Sequence, residues 1–139
     1  MLTAHLIVGY TLLGVLGATE VLGTLNYYDH FGGGGYHDTY NGLHEGFAIA
    51  STAIFAAQAG LAIFAPDPYP KPGGWNSARF HRIAEIMASV GMVTEIALGP
   101  ISETRYGKLD QRDFAAAHLV IGYITYAFVV GGVLAWLAQ

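Results

Sequence analysis

The sequence contains no cysteine among its 139 residues. Disulfides, thiolate zinc sites, iron–sulfur clusters, cysteine nucleophiles and covalent c-type haem attachment are thereby excluded. Charge is also scarce: 12% of residues are Asp, Glu, Lys or Arg, about half the usual share of a soluble domain. Six basic against ten acidic residues give a net charge of −4, with no basic cluster to follow a phosphate backbone, so nucleic acid is not an expected partner. Hydrophobic residues make up 53% of the chain, and six histidines are its main chemical asset.

The apolar residues gather in four stretches, about 2–25, 40–65, 77–101 and 111–138. Each is long enough as a helix, at 1.5 Å per residue, to cross a hydrocarbon layer of about 30 Å. Their only Lys or Arg residues are Arg79, Arg82 and Arg112, all in the first turns, where a long side chain reaches back to the interface. A spanning backbone must satisfy its own hydrogen bonds and four strands cannot close a barrel, so helix is the reading. Glycine, proline and aspartate punctuate the connections at 26–39, 66–76 and 102–110. Such short links predict an all-α, integral membrane, up-down-up-down bundle forming one domain over 1–139. Tyr27, Tyr28, Tyr36, Tyr40, Tyr69, Trp75, Tyr106 and Trp136 fall near the helix ends, as an aromatic belt does. The first segment lacks a basic leader and a small-residue cleavage site and is expected to be retained. Lys71, Arg79 and Arg82 on one side balance Arg105, Lys108 and Arg112 on the other, so the positive-inside count assigns no orientation.

His5, His44, His81 and His118 each lie in the first two turns of one helix, at separations of 39, 37 and 37 residues. AHLIVGY at 4–10 returns as AHLVIGY at 117–123, the mark of an internal duplication. In an antiparallel bundle His5 and His81 share one membrane level and His44 and His118 the other. The members of each pair then stand on diagonal helices and face each other across the core. Histidines of adjacent helices would instead lie about 20 Å apart along the axis. Steps of 4, 7, 11 and 14 residues from each histidine meet small and polar residues, among them Gly9, Ser51, Gln58, Glu85, Glu95, Gly122 and Thr125. That stripe belongs to a protein interior rather than to a lipid-facing surface.

This arrangement resembles the cytochrome b561 type of membrane protein, and among its members the small four-helix proteins of bacterial and photosynthetic membranes. The resemblance implies a cytochrome b561-like core with two b-type haems, His5 and His81 ligating one iron and His44 and His118 the other. It implies electron transport across the bilayer, since iron with both axial positions filled offers no open site for oxygen chemistry. Gly9 and Gly122 would let a porphyrin approach the backbone. Lys71, Arg79 and Arg82 would serve the propionates of the first haem, and Arg105, Lys108 and Arg112 those of the second. Glu20, Glu85 and Glu95, costly at membrane depth, are candidates for proton handling with a quinol donor, or for orienting an axial imidazole through its second nitrogen. Glu45, beside His44, is expected at the interface, and His30 and His37 in a surface loop.

Other classes remain open at this stage. Each histidine could ligate the magnesium of one chlorophyll in an accessory subunit of a photosynthetic or respiratory complex, with the pigments on the lipid side. A His/Glu metal-binding bundle lacks the Glu-x-x-His repeat of di-iron proteins, His81 to Glu85 being its nearest approach. Short loops leave little surface for a soluble partner, so homodimerisation or docking to a larger membrane complex is the expected mode of association.

Overall fold

A computed structural model describes residues 2–34, 36–64 and 74–138. Lys71 and Tyr69 lie outside the described residues. Four helices follow one another: α1 (Leu2–Phe31), α2 (Asn41–Phe64), α3 (Ser77–Thr104) and α4 (Gln111–Leu137), with no strand among the described residues.

Three of the helices outrun their expected ends or fall within a residue of them, but α1 extends through Asn26–Phe31, a stretch expected to be connection. Asn, Tyr, Asp and His are compatible with helix where no glycine intervenes. The helix stops only at the glycine run, where Gly32 donates its N–H to the Tyr28 carbonyl at 2.8 Å and Gly33 adopts φ +93°, a conformation glycine enters without steric cost. Asn76 caps α3, its side chain accepting from the Arg79 N–H at 2.9 Å. Pro100 sits inside α3 one turn before its end.

Successive helices run antiparallel, as a ladder of contacts shows. Along α1 and α2, the Asn26 amide donates to Asn41 at 3.3 Å, the Thr19 and Ser51 hydroxyls bond at 2.8 Å, and His5 meets Gln58 at 3.2 Å. Along α3 and α4, Glu95 meets His118, Gly91 packs on Thr125, and His81 reaches Gly132. α4 closes onto α1 through the 2.7 Å Thr24–Tyr123 hydroxyl bond. Hydrogen bonds of this kind hold helices together where lipid removes the hydrophobic drive between them. α2 and α3 scarcely touch, leaving a gap in one wall, and the diagonal pairs α1/α3 and α2/α4 are separated by the core.

That core is the stripe read from the histidines. Leu12, Leu16 and Thr19 are buried on α1, Ser51 and Gln58 on α2, Ala88 and Met92 on α3, and Gly122, Thr125, Val129 and Gly132 on α4. Large apolar residues point outward instead: Ile49 is 64% exposed, Val93 63% and Phe64 77%. Four helices with mean hydropathy of 1.3 to 1.9 and most of their apolar surface on the outside are long and apolar enough to cross a bilayer. The chain reads as a multi-pass integral membrane protein.

Candidate tetrapyrrole sites

His5, His44, His81 and His118 meet in two pairs across the bundle. The rings of His5 and His81 have centroids 6.5 Å apart and planes inclined at 82°. His44 and His118 stand 6.0 Å apart at 70°. Both pairs are diagonal, α1 with α3 and α2 with α4. Thr19, which faces His44, is 14 residues beyond His5 on α1, so the pairs are separated by about 21 Å along the bundle axis.

One ring nitrogen of His81 and one of His44 are each engaged by a backbone carbonyl. His81 Nδ1 lies 2.8 Å from the Gly132 carbonyl and His44 Nδ1 3.3 Å from that of Thr19. A carbonyl only accepts, so these contacts place the proton on Nδ1 and leave Nε2 with its lone pair. His118 Nδ1 lies 2.6 Å from Glu95 Oε2, without the alignment of a completed hydrogen bond. The His5 ring has the Gln58 amide at 3.2 Å from both its nitrogens. Metal-binding histidines are oriented as His81 and His44 are, the second nitrogen donating to a carbonyl, whereas the Gln58 amide nitrogen only donates, so the His5 ring accepts from it.

No three His, Asp or Glu side chains gather into a set for a metal ion among the described residues. A metal inside a tetrapyrrole needs fewer protein ligands, because the macrocycle brings four nitrogens and an imidazole on each face completes the shell. An imidazole nitrogen binds a metal at about 2.0–2.1 Å, which sets the centres of two opposed rings roughly 6 Å apart. The two observed separations fit that requirement.

The carboxylates fall beside the pairs. Glu85 Oε1 is 3.9 Å from His81 Nδ1, and Glu95 touches His118. Glu20 is buried against Gly122, where an added Cβ would stand 2.7 Å from its Oε2. Gly9 likewise makes room for Gln58, 3.1 Å from a Cβ placed there. The two glycines thus do open the backbone one turn after His5 and His118, but side chains of neighbouring helices fill the space.

The gap between α2 and α3 widens into a cleft of about 850 Å³ lined by His44, His118, Glu20, Glu95, Ser51 and Met92. This volume lies within the range of small-molecule and cofactor pockets, roughly 300–1,000 Å³. Asn26, Tyr27, Asn41, Tyr36 and Tyr106 line it toward the loops, together with the exposed Glu45, and among the described residues no Lys or Arg takes part. The cations stand outside it: Arg105 pairs with Asp110 at 2.9 Å, and Arg112 and Lys108 are exposed. At the opposite end the Arg79 guanidinium lies 5.5 Å from the centre of the Trp75 ring and Arg82 is exposed.

His30 differs from its expected place in a surface loop. It occupies the last turn of α1, stacked on Tyr36 at 4.5 Å, with Nε2 3.6 Å from Asp38. His37 is exposed in the loop. The contacts of Gln58 with His5 and of the Thr19 and Gly132 carbonyls with His44 and His81 were not foreseen. Gln58 carried a signal, since it falls on the His44 stripe; a backbone acceptor carries none. Comparison with family models, with curated proteins and with solved structures finds no match to this chain.

Proposed function

We propose that the chain is a b-type cytochrome of the membrane that carries electrons between the two sides of the bilayer, with a haem held by His5 and His81 and another by His44 and His118. The observation that carries this reading is the meeting of four histidines, one per helix, in two diagonal pairs whose ring separations suit a shared metal.

Haem bound in this way supplies one-electron ferric–ferrous chemistry and no open coordination site. The protein's own part is to hold and orient. The Gly132 and Thr19 carbonyls keep the Nδ1 protons of His81 and His44 and turn Nε2 inward. Glu95 lies beside His118 Nδ1, and the Gln58 amide stands by both ring nitrogens of His5. Leu12, Leu16, Ala88, Met92 and Val129 form an apolar layer in the core that keeps water from bridging the two ends. Glu20 and Glu95 in the cleft are the acceptors for protons released by a quinol donor. On this reading the protein is similar to the four-helix cytochrome b561-like proteins of bacterial or photosynthetic membranes, and a homodimer or a larger membrane complex is its setting.

The test is a dithionite-reduced minus oxidised absorption spectrum of the purified protein. A sharp b-type α band is expected. Chlorophyll bands with no redox response would assign the histidines to magnesium, and a colourless protein reconstituted with haemin to no effect would return them to packing.

A further inference from the structure

We propose that the His44–His118 cleft binds its tetrapyrrole with the acid side chains of the macrocycle uncharged, and that the carboxyl groups lining the cleft set this selectivity. This rests on the tetrapyrrole reading above and narrows the chemical form of ligand that one of the two sites takes.

A macrocycle with ionised propionates carries its negative charge on one edge, and burying that edge calls for cations or for a full set of donors. The cleft supplies the opposite. Glu20, Glu45, Glu95 and Glu103 all line it, and among the described residues no Lys or Arg does. The cations expected to serve this site are turned elsewhere: Arg105 lies 2.9 Å from Asp110, and Lys108 and Arg112 are exposed outside the cleft. A like charge nearby disfavours the ionised form of a carboxyl group, and burial acts in the same sense.

The polar end of the cleft suits a neutral acid or ester. Asn26 is seven residues beyond Thr19, whose carbonyl faces His44, and so stands about 10 Å further toward the loops along α1. Its Oδ1 is buried without a hydrogen bond, while its Nδ2 donates to Asn41 Oδ1 at 3.3 Å. A propionic acid donates its O–H to such an acceptor, and a carboxylate has no proton to give. An ester is held by the same pair with both amides turned over: Asn41 then donates to Asn26, and Asn26 offers an N–H to the ester carbonyl. Asn41, Tyr27, Tyr36 and Tyr106, which complete this end, are neutral as well.

The experiment titrates haemin and haemin dimethyl ester, separately and in detergent, into cofactor-free wild-type protein and into His5→Ala, which keeps the His44–His118 pair alone. Binding is read from the low-spin Soret band. The ester is expected to bind His5→Ala at least as tightly as haemin does. Adding Glu103→Lys, a change at an exposed position on the rim of the cleft, should tighten haemin severalfold and leave the ester where it was, a split that a merely structural effect would not produce. Ester binding weaker than that of haemin by about tenfold or more, or a Glu103→Lys variant that shifts both ligands alike or neither, would overturn the inference while leaving the haem reading intact. The wild type guards against a His5→Ala chain that does not fold: it should take up at least one equivalent of the ester, and uptake of haemin with none of the ester would overturn the inference too. Failure of the wild type to bind either ligand would remove both readings.

Discussion

Replacing His118 by Ala is expected to halve the haem content, from two per chain to one, and to leave the spectrum of the remaining haem unchanged. His118 shares its site with His44 alone, and His5 and His81 stand about 21 Å away along the bundle. His44→Ala should give the same product, while His5→Ala and His81→Ala should remove the other haem. The pairing is what makes this outcome specific. Four histidines that each bound a separate group would lose a quarter of the cofactor with every substitution, and one shared site would lose all of it. His30→Ala is the control: that ring packs on Tyr36 and lies near Asp38, outside either pair, so two haems should remain. The measurement is haem per chain by pyridine haemochrome on each purified variant.

Gly91→Val is expected to act on both sites together. The glycine lies where α3 crosses α4, and an added Cβ would meet the Thr125 hydroxyl and stand 2.9 Å from its Cβ. Thr125 cannot withdraw, being 1% exposed and bonded through Oγ1 to the Ile121 carbonyl at 2.8 Å. Overpacking of a filled core costs about 1–3 kcal/mol, and a rigid backbone crossing belongs at the upper end of that range. Because α3 carries His81 and α4 carries His118, separating these helices pulls one histidine from each pair. The expected result in detergent is a lower thermal midpoint together with weakened retention of both haems, in contrast to the one-site loss of the histidine variants. A wild-type midpoint with two haems retained would contradict the packing described here.

Much of this site is legible in the sequence because a helix converts spacing into direction. Stepping from each histidine by whole turns reaches Leu12, Leu16 and Thr19, Ser51 and Gln58, Ala88 and Met92, and Gly122, Thr125, Val129 and Gly132, all of them buried. One histidine near the start of every helix, joined to antiparallel order, then dictates which rings share a level. Other features have no such signal. The acceptors for His44 and His81 are backbone carbonyls, which every residue has. Gln58 serves a histidine on the neighbouring helix, a relation that periodicity along one helix does not contain. The opening between α2 and α3 escapes for a different reason: all four helices are apolar on the outside, so hydropathy does not distinguish a closed seam from an open one. The overrun of α1 to Phe31 reflects polar residues that resemble a loop in composition but break no helix before the glycines.

The proposed cytochrome holds two haems, each between two histidines. The haem-to-chain ratio of the purified wild-type protein, from pyridine haemochrome absorbance against protein concentration by amino-acid analysis, tests it most directly. A ratio of two with b-type haem is expected, and a ratio of zero after reconstitution with excess haemin would overturn the two-site reading.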